Sequence, residues 1–569
     1  MKVALVSSYT HPVALGLRYV SSYLKAAGHE VEVLFMCSSR KRAEGDWSPA
    51  VLDAFVEHCR HADLIGISLM TNTFFRACAL TETLRKAGIK APILWGGTHP
   101  TVAPDECLEV ADIICVGEGE EPTLQLLEHM EAGRSPLEVP SLCFRAGGPF
   151  GNQDTVRNPA AWLEQDLDDY PFPDYELHTH WVVEGSQLVA ARPENLRGTL
   201  HRLRVASTRG CPFACAFCNN TALRNIYRGK GRWVRTRSNE NVIQEIERAW
   251  SCFPTIEAVN VVDDLFFVRG EEEIEDFVEK YKARVNLPIE LDAFPNTLTE
   301  RKVAAIARLP IALISMGIQS TSQDTLKNIY KRPTAVKDIL ACMDLFTKYR
   351  LRAEYHYIVS NPYEPDANVI ETMRFAATHH RGPAVLRIFP LMFYPGTPLC
   401  ERARADGLIG PRDEVAYKHM YSSHNQFAGH DYLCTWLRVV LHMRNVGIPR
   451  WICHRLIDVV ISRPARFLLD HKSFSPAAQA IYFVLRKAYM TLLYQPFIRP
   501  FRYLRRKPTY AELHPEDEVS LPRNNMAVAD KTISGRKAPA LSSPRAQPIK
   551  SWILPRENLH ARRRRALPL

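Results

Sequence analysis

Apolar residues in the first 150 positions fall into short runs that alternate with amphipathic segments. Leu15–Ala27 carries apolar residues at helical spacing, and Gly28 follows it, which is typical of a helix C-terminus. Five such runs separated by helices predict a doubly wound parallel α/β sheet, which binds ligands at the carboxyl ends of its strands. The predicted strands are Val3–Ser8, Val31–Phe35, Leu64–Met70, Ile93–Gly97 and Ile113–Gly117.

A second alternation of strands and helices begins near residue 201. It follows a proline-containing, acidic segment over 146–200, which we interpret as a linker. Six β/α units predict a partial TIM barrel of the (β/α)6 type, with its site at the carboxyl ends of the strands. The predicted strands are Arg204–Thr208, Ala258–Val262, Ile289–Ala293, Leu313–Gly317, Ala353–Val359 and Val385–Leu391. The predicted helices are Asn241–Phe253, Ile274–Val285, Ala335–Tyr349 and Val369–His379.

The rest of the chain lacks this alternation. Residues 430–510 show helical spacing only, and residues 511–569 are rich in Pro, Ser, Arg and Lys, which predicts a disordered basic tail. The predicted organisation is therefore a sheet domain over 1–145, the linker over 146–200, the barrel over 201–420, the helical region and the tail.

The net charge of +10 is concentrated in the tail. Residues 521–569 contain eleven Lys or Arg and two acidic residues, so they contribute +9, and the other 520 residues sum to about +1. A nearly neutral body gives no reason to expect a nucleic-acid partner. Met1–Val6 begins as a strand rather than as a signal peptide, so we expect fourteen reduced cysteines and a cytoplasmic protein.

Three thiols provide the strongest chemical signal. Cys211, Cys215 and Cys218 are spaced CxxxCxxC in a loop directly after the first barrel strand. Thiolates select zinc or iron–sulfur clusters. A structural zinc site requires four protein ligands, and no nearby Cys or His supplies a fourth. On a four-iron cluster, three cysteines leave one iron open to bind another molecule.

This spacing, with Phe217 before the last cysteine, resembles the radical S-adenosylmethionine (SAM) superfamily over roughly Leu203–Leu408. The resemblance implies a [4Fe-4S] cluster whose open iron binds SAM, and cleavage of SAM to a 5′-deoxyadenosyl radical. It also implies SAM contacts at later strand ends, where the chain reads Val-Val-Asp-Asp and Gly-Ile-Gln-Ser. The expected cofactor contacts in the barrel are Phe217, Asp263, Asp264, Gln319 and Ser320.

Two stretches that contain glycine follow the last strands of the first domain, at Trp95–Thr101 and Val116–Glu120. Small residues let the backbone approach a bulky ligand closely. The stretches look like the cobalamin-binding domain of cobalamin-dependent radical SAM enzymes. His99 has two interpretations, a cofactor contact or a loop histidine bonded to the backbone. The expected cobalamin contacts are Ser68, Thr71, Gly96, Gly97, His99, Thr101, Gly117, Glu118 and Gly119.

The domain pair implies a cobalamin-dependent radical SAM methyltransferase that acts on an unactivated centre of a small-molecule or lipid-like metabolite. It would use a 5′-deoxyadenosyl radical and methylcobalamin, with an external one-electron reductant of the flavodoxin or ferredoxin type. These cofactors carry the chemistry, so no catalytic amino acid is expected. The alternatives are a cobalamin-dependent cyclase or rearrangement enzyme without methyl transfer, and a corrinoid-binding protein without enzymatic activity.

The C-terminal helices allow two interpretations. Apolar residues from Ile481 to Leu493 mark one helical face, and basic residues cluster between Arg499 and Lys507. The pattern favours a helical cap over the barrel mouth. The alternative is an interfacial helix that touches an anionic membrane, which would place the protein at the inner face of that membrane.

Overall fold

The structure is a computed structural model, and it describes residues 1–37, 45–380, 384–411, 432–445 and 447–469. The predicted basic tail and the basic, aromatic segment of the C-terminal helices lie outside the described residues. Two sheets organise the described part of the chain, one of nine strands and one of six.

The first sheet has the predicted doubly wound parallel centre. Its middle strands run in the order β2-β1-β3-β4-β5, and neighbours in this group pair in parallel. Successive residues of β1 enter opposite apolar clusters, Val3 and Leu5 on one face and Ala4 and Val6 on the other. This explains the continuous apolar runs, because both faces of the sheet are covered. The strands are β1 Lys2–Ser7, β2 Glu30–Phe35, β3 Leu64–Ser68, β4 Ile93–Gly96 and β5 Ile113–Cys115.

The prediction that residues 146–200 are only a linker is wrong, because this segment adds strands to both edges of the sheet. Beyond β5, two antiparallel strands extend the sheet, and the second of them lies in the linker. The chain then crosses to the opposite edge, where β8 pairs in parallel with β2 and β9 pairs antiparallel with β8. These strands are short and half-polar, so their apolar periodicity is weak. They are β6 Leu142–Phe144, β7 Val156–Arg157, β8 His180–Glu184 and β9 Gln187–Ala190.

The second sheet is the predicted partial barrel. Six strands lie in chain order, and every neighbouring pair is parallel. A separate antiparallel pair, β11 Thr208–Arg209 and β12 Arg235–Thr236, brackets the cysteine loop. The barrel strands are β10 Arg202–Val205, β13 Ala258–Val261, β14 Ile289–Ala293, β15 Ile311–Gln319, β16 Ala353–Val359 and β17 Val385–Pro390.

Helices cover both sheets. In the first domain they are α1 Leu15–Ala26, α2 Pro49–Cys59, α3 Phe74–Lys86, α4 Thr98–Val102, α5 Pro104–Leu108 and α6 Glu120–Glu131. Later helices are α7 Pro193–Leu200, α8 Asn219–Ile226, α9 Asn239–Cys252, α10 Glu271–Arg284, α11 Glu300–Ile306, α12 Val336–Lys348, α13 Asp366–His379 and α14 Pro398–Ala405. The last described helices are α15 Tyr432–Asn445, α16 Arg450–Val460 and α17 Arg463–Leu469.

The first C-terminal helices pack beside the barrel. Helices α15 and α16 contact α13, and Tyr432 of α15 donates a hydrogen bond to the carbonyl of Val460. Arg374 of α13 pairs with Asp458 of α16 at 3.0 Å. Within the described ranges, no helix combines the length and apolarity that a membrane crossing requires.

Candidate cofactor sites at the strand ends

The cysteine loop follows β10 and turns sharply at Gly210. Gly210 has a φ of +89°, and a Cβ there would overlap the backbone carbonyl of Trp233. The indole of Trp233 donates a hydrogen bond to the carbonyl of Cys211 at 3.0 Å, and Arg224 donates to that of Pro212 at 3.0 Å. Side chains outside the loop therefore fix its path around the first cysteine.

The three predicted thiols share this loop and differ in burial. Cys215 is buried, whereas Cys211 and Cys218 are half-buried. Burial raises the pKa of the Cys211 and Cys218 thiols to about 11. Cysteine thiolates are the ligands that hold iron–sulfur clusters, and three of them share this loop. Among the described residues, no three His, Cys, Asp or Glu side chains, these cysteines included, lie close enough together to hold a single metal ion.

Arg332 is a residue of this site that the sequence analysis missed. Its Nη1 lies 3.9 Å from Cys215 Sγ, its Nη2 donates to the carbonyl of Gly317 at 2.6 Å, and its guanidinium lies over the ring of Phe294 at 3.9 Å. The side chain is almost fully buried. It follows the helical turn Thr325–Ile329, more than 100 residues after the cysteines, so no local motif indicated it.

The two predicted acidic residues after β13 have different positions. Asp263 is buried and accepts hydrogen bonds from the backbone N–H and hydroxyl of Ser207 and from the N–H of Thr208. Asp264 is exposed, and its carboxylate accepts from the N–H of Gly210 at 2.9 Å and from Asn220 at 2.7 Å. Asp263 therefore anchors the strand end, whereas Asp264 lies on the surface beside the cysteine loop.

The predicted residues after β15 also divide. Gln319 is half-buried, with a φ of +69° at an irregularity in the pairing with β16. Ser320 is buried, and its hydroxyl donates to Glu364 at 3.0 Å. The ring of Phe217 is half-buried and meets Tyr330 edge-on at 5.0 Å. Of these three residues, Gln319 and Phe217 remain accessible at the barrel mouth.

In the first domain, polar groups gather where β1 and β3 end side by side. The helix that follows β1 and the helix that follows β3 cover opposite faces of the sheet. Sheets of this kind bind ligands in the crevice between two such strands. The hydroxyls of Ser68 and Tyr9 lie 3.1 Å apart, and Ser8 donates to the carbonyl of Ser68 at 2.9 Å. Met70 follows and is 41% exposed. Ser68 is among the contacts predicted from the sequence, whereas Tyr9 and Met70 are not.

His99 and Thr71 lie inside the domain rather than on its edge. His99 is fully buried, with its Nδ1 3.2 Å from the Thr71 hydroxyl and its ring against Phe74. Its Nε2 lies 3.4 Å from Glu106. Thr101 is also buried and joins two loops, since its hydroxyl donates to the Gly97 carbonyl and accepts from the Gly117 N–H. Protein contacts therefore occupy Thr71, Thr101 and the Nδ1 of His99, whereas the buried Nε2 of His99 faces Glu106 without a hydrogen bond.

The glycines of the two stretches accommodate protein atoms. Gly97 has a φ of +108°, and a Cβ there would overlap the backbone of Leu69. A Cβ at Gly117 would overlap the hydroxyl of Tyr227 from the barrel domain, which accepts the N–H of Glu118 at 2.6 Å. Gly96 and Gly119 are less crowded, with Cys115 and Val20 as their closest neighbours.

An ion-pair cluster joins the two domains beside the cysteine loop. Arg209, two residues before Cys211, contacts Glu118 at 3.0 Å and Glu120 at 2.7 Å. Its register partner Arg235 also pairs with Glu118. Burial alone would raise the pKa of Glu118, but the two arginines hold it below its usual range. The carboxyl end of β5 is thereby held against the loop that carries the cysteines.

Comparison with known proteins agrees with this architecture. The B12 binding domain model matches residues 1–127, and the Radical SAM superfamily model matches residues 205–376. An uncharacterized methyltransferase of Pyrococcus horikoshii is 26% identical over 353 residues, which cover 61% of this chain and 70% of that protein. An anaerobic magnesium-protoporphyrin IX monomethyl ester cyclase of Cereibacter sphaeroides is 25% identical over 377 residues, which cover 60% of this chain and 55% of that protein.

A solved structure has the same fold. The radical SAM methyltransferase TsrM of Kitasatospora setae, with cobalamin and a [4Fe-4S] cluster bound, aligns with a TM-score of 0.56 and 16% identity. The alignment covers 71% of this chain and 75% of that one. The two family matches therefore identify a B12-binding domain followed by a radical SAM domain, and this pair of domains implies cobalamin, SAM and a [4Fe-4S] cluster as cofactors.

Proposed function

We propose that the protein is a methyltransferase that uses SAM and cobalamin to methylate an unactivated centre of a small molecule. The observation that carries the proposal is the ion-pair cluster of Arg209 and Arg235 with Glu118. It brings the cobalamin-domain strand ends beside the cysteine loop, and transfer between the two sites requires that closeness. When bound, the cluster and SAM supply the radical, and cobalamin supplies the methyl group.

Cys211, Cys215 and Cys218 are the proposed cluster ligands. The hydroxyl of Thr221 donates to the Cys215 carbonyl at 2.8 Å, and the N–H of Ala216 donates to the Tyr330 carbonyl at 2.8 Å. Both contacts fix the loop between the second and third cysteines. Groups outside the loop therefore hold the backbone that carries the thiols, as supporting contacts do around metal ligands generally.

Asp264 and Gln319 are the proposed SAM-facing groups. Asp264 is an exposed carboxylate suited to an ammonium group, and Gln319 is half-buried on the irregular end of β15. Arg332 is buried and already contacts Cys215 and the Gly317 carbonyl, so we assign it to the environment of the cluster. Phe217 supplies an apolar ring beside the same mouth. We assign the buried Asp263 and Ser320 to positioning, because their polar atoms are occupied by protein partners.

The proposed cobalamin surface consists of Ser68, Tyr9 and Met70 at the ends of β1 and β3, with Gly96 beside them. Hydroxyl groups there can bond the polar edge of the corrin, and Met70 offers exposed apolar area. In this proposal Thr71, Gly97, His99 and Thr101 shape the loops behind the surface. Gly117 and Glu118 form the contact with the barrel domain, and Gly119 lies against Val20 within the first domain.

The test is transfer of an isotopically labelled methyl group from SAM. Full-length protein reconstituted anaerobically with iron, sulfide and hydroxocobalamin should place the label on the corrin in the presence of a strong reductant. It should also release 5′-deoxyadenosine. Met70→Asp should lower cobalt content and labelling, whereas the iron content should stay at the wild-type value. A wild-type protein that takes up iron but no cobalt would contradict the proposal.

Cyclisation without methyl transfer is the second candidate, because one reported relative is a magnesium-protoporphyrin ester cyclase. The two candidates differ in the fate of the label. A methyltransferase moves it into the product, whereas a cyclase leaves the product unlabelled. Both need an electron for the cluster, and we propose a flavodoxin or ferredoxin as its donor.

A further inference from the structure

The interior of the barrel carries a charged and polar layer just below the cysteine loop. Strand β15 alternates half-buried with buried residues along its whole length, and Ser315 is one of the half-buried residues. In register, Ser315 lies between Asp292 of β14 and Glu354 of β16. Buried neighbours of these residues, Leu291 and Ile314, belong to the apolar core. The polar layer therefore lines the inner face of the sheet.

Most charges in this layer are neutralised by protein partners. The carboxylate of Glu354 receives His356 Nε2 at 2.6 Å and Arg387 Nε at 2.9 Å. On the adjoining strands, Glu290 accepts from Asn260 at 3.0 Å and pairs with Arg202 at 3.4 Å. Each of these acids therefore has a fixed cation beside it.

Asp292 differs from the other two acids. Across the residues that the structure describes, no Arg, Lys or His side chain forms an ion pair with it. Its side chain is solvent-accessible, yet burial raises its pKa to about 6 because protein surrounds most of the carboxylate. The nearby carboxylates of Glu354 and Asp263 add to this rise, and the charge of His356 opposes it without cancelling it. A carboxylate that is accessible but poorly solvated and has no paired cation favours a cationic ligand beside it.

The position of Asp292 relates it to the reaction site. Two residues further along the chain, Phe294 stacks on Phe213 of the cysteine loop with the ring centroids 4.0 Å apart. Apolar side chains border the same mouth, since Val262 is 37% exposed and Phe389 is 47% exposed. Phe389 also meets the ring of His356 edge-on at 5.7 Å. The interior thus offers one carboxylate outside any ion pair together with exposed apolar surface.

We propose that the barrel interior binds a substrate that joins a protonated amine to an apolar body, with Asp292 as the anchor of the amine. This inference rests on the proposed function, because only a reacting substrate has to lie beneath the cysteine loop. Asp292 is a specificity-determining residue in this proposal. His356, Glu354 and Arg387 form the polar wall next to it, and Phe389 borders the apolar part.

The test compares amines with neutral molecules of the same shape. Tyramine, tryptamine and 4-bromobenzylamine are paired with tyrosol, tryptophol and 4-bromobenzyl alcohol. Each ligand is equilibrated by dialysis with the cofactor-loaded, full-length protein in the presence of SAM, and bound ligand is measured by mass spectrometry. We expect at least one amine to bind about tenfold more tightly than its alcohol, as a charge-assisted hydrogen bond would provide.

Three variants decide the role of the carboxylate. Asp292→Asn should abolish the preference for the amine, and Asp292→Glu should retain part of it. Asp344→Asn, which removes an exposed carboxylate on α12 outside the barrel, should leave it unchanged. Iron content and circular dichroism verify that each variant is folded and loaded.

The outcomes separate this proposal from the proposed function. Equal binding of amines and alcohols by the wild type, or an unchanged preference in Asp292→Asn, would overturn the role of Asp292. Binding of none of the three amines would overturn it as well. The labelled methyl group on the corrin is measured in the same samples. If the label appears while the amine preference does not, methyl transfer stands and the amine proposal falls.

Discussion

The guanidinium of Arg332 lies 3.9 Å from the sulfur of Cys215, although 117 residues separate them in the chain. The same side chain is fixed by the Gly317 carbonyl and by the face of Phe294. A buried positive charge is thus held beside the proposed cluster. Charges act strongly at this range, because little water screens them.

The first prediction concerns the reduction potential of the cluster. Reduction adds negative charge to the cluster, and the positive charge of Arg332 stabilises it. Arg332→Met should therefore lower the reduction potential by on the order of 50–100 mV, for an effective dielectric constant of about 20. Redox titration followed by electron paramagnetic resonance measures the shift. Arg332→Lys keeps the charge and should recover much of the potential. Identical potentials in wild type and Arg332→Met would show that the guanidinium acts only through packing.

The second prediction concerns the cluster ligands. Cys211→Ala, Cys215→Ala and Cys218→Ala should each abolish the iron–sulfur absorbance and the cleavage of SAM, because two thiolates cannot hold a cluster of this kind securely. Cys252→Ala removes a half-buried thiol from the end of α9 and serves as the control, with wild-type iron content expected. Retention of about four irons per chain in a triple variant of the loop cysteines would refute the assignment.

The third prediction concerns the contact between the domains. Glu118→Gln leaves Arg235 without its carboxylate and Arg209 with Glu120 only, so the free energy of unfolding should fall by about 2–3 kcal/mol. Chemical denaturation measures this loss. The pKa of Glu118 is depressed, so its stabilisation is present at neutral pH and is lost as acid protonates it. The difference between wild type and variant should therefore shrink toward low pH.

The control for this prediction is Glu57→Gln, which removes an exposed carboxylate paired with Arg60 on the surface of α2. Its denaturation curve should overlay that of the wild type, since exposed pairs contribute little. A Glu118→Gln protein as stable as this control would mean that the inter-domain ion pairs are energetically neutral.

The fourth prediction concerns Gly97. A side chain there would require a backbone conformation that only glycine adopts readily and would overlap Leu69, so Gly97→Ala should destabilise the protein by roughly 1–3 kcal/mol or more. Gly16→Ala, at a helical position with open space around it, should not. Melting temperatures of the two variants make the comparison. A Gly97→Ala protein that melts like wild type but loses cobalt would restore Gly97 as a direct cofactor contact.

The alternation of strands and helices in both domains was predictable because short apolar-rich segments recur between amphipathic helices. The cysteine loop was predictable because its ligands are adjacent in the chain. Asp263 and Asp264 show the limit of such reasoning, since one is buried in structural hydrogen bonds and its neighbour is exposed. Strand-end position alone does not distinguish these two environments.

Contacts between distant segments were beyond prediction. Gly117 looked like space for a ligand, but the hydroxyl of Tyr227 fills that space from the other domain. Arg332 and Asp292 lie near the cysteine loop only because the barrel brings their turn and strand there. Their chemistry depends on partners that no local pattern specifies.

The strands β6 to β9 have a consequence for how separable the first domain is. After β7 completes one edge of the nine-stranded sheet, the chain passes to the far edge and adds β8 beside β2. A fragment ending at residue 145 would leave the hydrogen-bonding groups of β2 bare and would invite association with other chains through that edge. A fragment that continues to Ala190 would retain both borders. The cobalamin domain therefore shares its sheet with the segment that leads into the barrel. We expect residues 1–145 and that segment to fold and unfold as one unit.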